Sequence, residues 1–135
     1  MGSIHFESKV DVSADVAWDY LDRFMRAEVF PFPSSTAEYQ EGGYRVITTE
    51  SGYQVTERNV TVDPDHRRVS YTLLGLPGVE HHQAEMRVDV ASDGTAMLSW
   101  VTDYLPHELA AQRAAGQSPL FDLLVAAVNA HTAKA

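Results

Sequence analysis

The sequence contains no cysteine, which excludes a disulfide framework, a thiolate metal centre and a cysteine nucleophile together. Positive charge is also scarce. Ten Lys and Arg against 19 Asp and Glu give a formal charge of −9 over 135 residues, and no run of basic residues forms a stripe along which a phosphate backbone could lie. Nucleic acid is therefore not an expected partner. An anionic membrane surface is disfavoured too, because each approach adds like-charge repulsion. No apolar run nears the roughly 20 residues of a spanning helix, and Met1 to Val10 carries His5, Glu7 and Lys9, too polar for a signal-peptide core. A cytoplasmic location is expected. A glycine-rich phosphate loop, a serine-nucleophile elbow and a dinucleotide fingerprint are missing as well. His107-Glu108 has no second histidine at helical spacing. His81 and His82, adjacent on a strand, point to opposite faces, so neither a metal nor a cofactor is expected.

What is present is a 44% hydrophobic chain, enough for one core, and residues 1–135 read as a single domain. Ile4, Phe6, Ser8, Val10 and Val12 alternate with His5, Glu7, Lys9 and Asp11, the period of a strand buried on one side. Ser13 is placed to cap a helix with Asp15 in its first turn and an apolar stripe of Val16, Ala17, Tyr20, Leu21 and Phe24. Phe30-Pro31-Phe32-Pro33 ends any continuation. Short alternating runs follow between glycine-rich turns and predict strands near 36–40, 44–49, 53–62, 67–74, 80–90 and 96–104, a meander of hairpins. Leu120, Leu123, Leu124, Ala127, Val128 and His131 then repeat as one face of a closing helix, which either begins or kinks at Ser118-Pro119.

Side chains alternate across a strand, so one facing fixes the others on it. His82, Ala84, Met86, Val88 and Val90 form the apolar set of one strand, Leu98, Trp100, Thr102 and Tyr104 that of the next, and Val69, Tyr71 and Leu73 that of the one before. On 53–62 the even set, Thr56, Arg58, Val60 and Val62, reads as interior, sending Arg58 into an apolar hollow. The register of 44–49 depends on the turn at Ser51-Gly52. A two-residue loop places Arg45 and Ile47 beside Arg58, and a three-residue loop places Tyr44 and Val46 there. The second is preferred, because two unpaired arginines in one dry hollow are costly.

The order strand, helix, six-strand meander, C-terminal helix resembles the START-related or SRPBCC superfamily, which includes birch-pollen-type allergens and bacterial polyketide cyclase/dehydrase proteins. The resemblance rests on Ser13-Ala14-Asp15-Val16-Ala17-Trp18 with Leu21-Asp22, on Glu57-Arg58 followed by Asp63, on Arg68-Val69-Ser70-Tyr71, and on Gly94-Thr95 followed by Trp100. It implies an α+β helix-grip fold, a seven-stranded curved antiparallel sheet around a long C-terminal helix with one or two short helices after the first strand. It also implies a polar role for Arg58, since an arginine in the matching Glu-Arg pair of aromatic polyketide cyclases projects into the cavity.

The candidate chemistry is then a cationic Arg58 that polarises a carbonyl, with His82 or Tyr71 moving a proton. Trp100, Tyr104, Met86, Leu73, Leu98, Leu120 and Leu124 are the candidate ligand-binding surface. Each has a plain alternative as ion pair, satisfied histidine or core packing. Gly75-Leu76-Pro77-Gly78 reads as a rim loop. Two functions fit a small hydrophobic or aromatic metabolite as partner of a monomer or homodimer. One is a cofactor-independent polyketide cyclase/dehydratase-like enzyme, and the other is a non-catalytic carrier or sensor of a lipid, terpenoid or aromatic ligand.

Overall fold

The computed structural model describes residues 2–132. It is α+β, with the strands and helices in the order β1 (Gly2–Val10), α1 (Ala14–Met25), β2 (Ser35–Gln40), β3 (Tyr44–Thr49), β4 (Gln54–Asp63), β5 (Arg68–Leu74), β6 (His81–Val90), β7 (Ala96–Leu105) and α2 (Glu108–Asn129). The seven strands form one antiparallel sheet in the order β1-β7-β6-β5-β4-β3-β2. The consecutive hairpins β2 to β7 follow from the turn residues read in the sequence, and β1 closes the far edge by pairing with β7. This is the helix-grip arrangement. Both helices lie on one face, α2 over β1 and β7 and α1 over β4 to β7.

Local chemistry sets the helix ends. The Ser13 hydroxyl accepts the Val16 N–H at 3.2 Å, and Asp15 lies in the first turn of α1. Ala17, Tyr20, Leu21, Phe24 and Met25 form its buried face. Helix α2 begins at Glu108 and runs through Pro119 without restarting there. Its buried residues are Ala110, Phe121, Leu124 and Val128, and Phe121 stacks on Phe6 of β1 with ring centroids 5.4 Å apart. Leu123, grouped with the apolar face in the sequence, is instead 38% exposed. The end of α2 is tied to the end of β1, where Asn129 Oδ1 accepts the Asp11 N–H at 2.7 Å.

Strands β5, β6 and β7 face as the alternation predicted. Val69 and Tyr71, His82, Ala84, Met86 and Val88, and Leu98, Trp100, Thr102 and Tyr104 are buried, while Leu73 is half-buried. Val90, at the end of β6, is exposed.

Strand β4 departs from the prediction. The β3–β4 register pairs Tyr44 with Arg58, Arg45 with Glu57 and Ile47 with Val55, which is the register of the preferred three-residue loop. The facing, however, is inverted: Arg58 and Tyr44 lie on the outer side, and Arg45 and Glu57 face inward. Val60 and Val62, read as interior together with Arg58, are 53% and 45% exposed, and the β4–β5 ladder carries a bulge between Asn59 and Thr61. An extra residue in one strand flips the alternation beyond it. Val62 pairs with Val69 and Asn59 with Tyr71, so an even residue after Val60 and an odd residue before it share a face. The apolar Val60 and Val62 carry no information about which way Arg58 points.

Candidate functional site

Between the inner face of the sheet and α2 lies a chamber of about 180 Å³. Phe32, Tyr71, Trp100 and Tyr104 supply its aromatic walls, Leu73 and Leu120 its aliphatic ones, and Glu57, His82, Thr102 and Gln117 its polar groups. A cavity of about 150 Å³ accommodates benzene, so the chamber matches a single ring. Glu57 and Leu73 also border an outer recess of about 490 Å³, whose other walls include Ile47, Val55, Leu76, Pro77 and Arg113. The Gly75 to Gly78 turn thus lies at the mouth, with positive φ at both glycines, 70° and 77°. A side recess of about 370 Å³ shares Tyr104, Gln117 and Leu120 with the chamber and Arg113 with the outer recess.

The charged centre of the site is a buried ion pair. Arg45, 0% exposed, donates from Nη2 to Glu57 Oε1 at 2.6 Å and from Nη1 to the Phe24 carbonyl at 2.9 Å. Its guanidinium lies 4.2 Å from the Phe24 ring centroid and 5.0 Å from that of Tyr71, contacts in which the ring faces attract a cation. Asn59 Nδ2 donates to the neighbouring Met25 carbonyl at 2.8 Å. Two side chains of the sheet therefore bond to carbonyls in the last turn of α1, that of Phe24 also accepting the Ala27 N–H at 3.1 Å. Burial pushes the Glu57 carboxyl above the ordinary glutamate range, and the Arg45 charge opposes that rise. Only one Glu57 oxygen has a hydrogen-bond partner among the described residues, and the residue borders both chamber and outer recess.

His82 also lines the chamber. Its Nδ1 accepts the Leu73 N–H at 3.0 Å, which places the proton of the neutral ring on Nε2. The Thr72 hydroxyl donates to the His82 carbonyl, fixing the same strand position. Burial, helped by the charges of His81 and Arg113, lowers its pKa from 6.5 to about 4. At neutral pH His82 is an uncharged N–H donor. Burial raises the phenol of Tyr71 well above its usual range, with the Glu57 charge adding to the effect. The Tyr104 phenol is raised by burial against the opposing charge of Arg113. Tyr104 Oη donates to Gln117 Oε1 at 3.4 Å, and Gln117 Nε2 donates to Thr102 Oγ1 at 3.3 Å. Among the described residues the buried indole N–H of Trp100 meets no hydrogen-bond acceptor at full geometry, although it lies near enough to the Tyr71 phenol to oppose the rise in its pKa. The chamber therefore combines one carboxylate with several neutral donors, an arrangement suited to accepting a proton from carbon while a carbonyl oxygen gains charge.

The fold brings together His82, Tyr71, Trp100, Tyr104, Leu73 and Leu120 around this space. Met86, Leu98 and Leu124 lie elsewhere, fully buried in the packed core under α1 and α2. Arg58 is outside altogether: it is exposed, its guanidinium 5.4 Å from the ring centroid of Tyr44. Glu57, its neighbour in the Glu-Arg pair, and Arg45 on β3 hold the interior positions. Sequence reasoning also missed Phe32, whose ring stacks near Trp100 at 6.2 Å, and Gln117 and Arg113 on α2. The aromatic spacing of Phe30 and Phe32 was a usable signal, because Phe24, Phe30, Phe32 and Trp100 form a continuous file of ring contacts.

No curated protein matches the chain. Among solved structures, the protein XoxI from Bacillus cereus superposes with a TM-score of 0.77 at 18% identity, covering 96% of this chain and 94% of that one. Norcoclaurine synthase from Thalictrum flavum, solved with dopamine and hydroxybenzaldehyde, gives 0.73 at 20% identity, covering 98% and 88%. The di-domain ARO/CYC protein BexL gives 0.70 at 20% identity, covering 96% of this chain and 45% of that one. These likenesses establish the shared fold. The family model described as "Polyketide cyclase / dehydrase and lipid transport" matches residues 1–129, and the chain belongs to that family.

Proposed function

We propose that the chamber binds a small, largely apolar molecule bearing a carbonyl near a single ring, and that Glu57 removes a proton from the carbon beside that carbonyl. The observation that carries this reading is Glu57 itself: a buried carboxylate with a raised pKa, one oxygen held by Arg45 and the residue open to a chamber containing neutral donors. A raised pKa makes the carboxylate a stronger base, and proximity supplies the rest. The electron pair of the broken C–H bond moves onto the carbonyl oxygen, where the His82 Nε2–H and the Trp100 indole N–H are available donors. The enolate carbon then attacks a second carbonyl of the same molecule. The Glu57 carboxylic acid returns its proton to the alkoxide formed in that attack, giving a β-hydroxy ketone. The carboxylate then removes the second proton from the same carbon, and the acid so formed protonates the departing hydroxyl, so that one water leaves as the carbon–carbon double bond forms. The sequence is an aldol-type ring closure followed by dehydration, and it requires no redox change. Arg45 is a positioning residue in this scheme, and Tyr71 and Tyr104 orient the ring.

The test is deuterium wash-in to the carbon between the carbonyls of benzoylacetone, followed by NMR. Wild type accelerates exchange over buffer, and Glu57→Gln, which still accepts the Arg45 hydrogen bond, loses at least about a hundredfold of that acceleration. Equal exchange by both proteins removes Glu57 as the base.

One observation favours a second reading, a carrier. The outer recess is larger than the chamber and lined mostly by apolar side chains, room for a ligand held without reaction. A carrier gives thermal stabilisation with ligand recovered unchanged in mass.

A further inference from the structure

Arg113 stands apart from the other arginines. Arg23, Arg26, Arg45, Arg67, Arg68 and Arg87 each have a carboxylate within ion-pair distance. Among the described residues, Arg58 and Arg113 are the two arginines that do not, and Arg58 lies on the outer face of the sheet. Arg113 borders both the outer recess and the side recess, and its guanidinium sits 5.6 Å from the ring centroid of Tyr104, which also lines the chamber. The charges that line the outer recess are Glu57 and Arg113. Glu57 is neutralised by Arg45 at 2.6 Å, so the mouth carries a net positive charge on a chain whose formal charge is −9. Its charge also reaches the interior, lowering the pKa of His82 and opposing the rise at Tyr104.

An anion approaching this protein meets repulsion over most of its surface and attraction at the mouth. A guanidinium binds a carboxylate through two parallel N–H donors. The contact of Arg113 with the Tyr104 side chain limits its freedom, which lowers the entropic cost of binding a carboxylate. From these observations we infer that Arg113 recognises a carboxylate on the ligand: the ring enters the chamber, an apolar connection crosses the outer recess past Leu73 and Val55, and the carboxylate stays at the rim on Arg113. The substrate class is an aryl or cyclic ketone carrying a carboxylate-terminated side chain. The inference rests on the reading of the chamber as a ligand site.

The experiment measures affinities by calorimetry for a series of (4-hydroxyphenyl)alkanoic acids of graded chain length and their primary amides. Wild type, Arg113→Gln and Arg113→Lys are compared. The acid of best-fitting length binds wild type about tenfold more tightly than its amide, and added salt shrinks the difference. In Arg113→Gln the acid falls to the level of the amide, and Arg113→Lys keeps part of the preference. Acid and amide binding wild type equally, or a preference that survives in Arg113→Gln, overturns the role of Arg113 while leaving the chamber as a ligand site. Binding of neither series overturns the chamber reading, and this inference with it.

Discussion

Two halves of the same inner sheet face differ in what they do. Toward one end, the paired rows Val88 with Leu98 and Val69 with Met86 are apolar and fully packed under α1. Two rows further along the same strands, Ala84 pairs with Tyr71 and Thr102, and His82 pairs with Tyr104. The backbone pattern is continuous, yet one half is solid and the other borders an open pocket of about 180 Å³. The packed half follows the ordinary rule that a core fills to near-crystalline density. The chamber half retains a charged pair, a neutral imidazole with a depressed pKa and an indole N–H that meets no acceptor at full geometry among the described residues. Each of these groups is costly in a dry interior, and a ligand with acceptor atoms offsets part of that cost. The difference separates a packed side of Tyr71 from a side that gathers the polar groups of the proposed site.

The sharpest test of that division is Arg45→Ala. It leaves Glu57 as an unpaired buried charge and costs about 3–5 kcal/mol in denaturant unfolding, whereas Arg45→Met with Glu57→Leu is close to neutral or stabilising and abolishes activity. A double variant as unstable as the single one makes the pair part of the scaffold instead. Next in size is the effect of Leu98→Ala in the packed half, about 2–5 kcal/mol. It lowers the unfolding midpoint and leaves the affinity for ligand of the folded protein within about twofold, a factor worth roughly 0.4 kcal/mol.

The pH dependence of stability probes the chamber half directly. His82 has a native pKa of about 4 against an ordinary 6.5, so the unfolded chain takes up a proton that the native one refuses. Its contribution is full above about pH 6.5 and is lost as pH falls toward 4, a decline of up to about 3 kcal/mol. Thermal or urea unfolding across that range should show the decline, and His82→Gln should flatten it. The smallest effect belongs to Arg58→Ala: with the side chain in solvent beside Tyr44, stability changes by less than about 0.5 kcal/mol and turnover is unaltered. A large loss of turnover in that variant places the working arginine on the outer face and breaks the division altogether.

Most of the scaffold was legible in the sequence. The period-two runs located the strands, Gly and Asp-Pro turns separated them, Ser13 marked the start of α1, and alternation set the inner faces of β5, β6 and β7. The aromatic wall and His82 were readable for the same reason. The centre of the site was not. Arg58 and Glu57 are adjacent, and choosing between them required the parity of β4, which the bulge at Val60 breaks. Likewise Gln117 and Arg113 lie in the part of α2 before Pro119, where the sequence left open whether the helix had begun.

By itself the sequence determined the periodicities, the turn positions and the absence of thiol chemistry, since these depend on the local preferences of each residue and on composition. Only the tertiary structure decided that Arg45 and Glu57 face inward together. A bulge shifts a whole strand by one residue without leaving a compositional mark, and the facing of a charged residue is settled by the cross-strand partner that neutralises it.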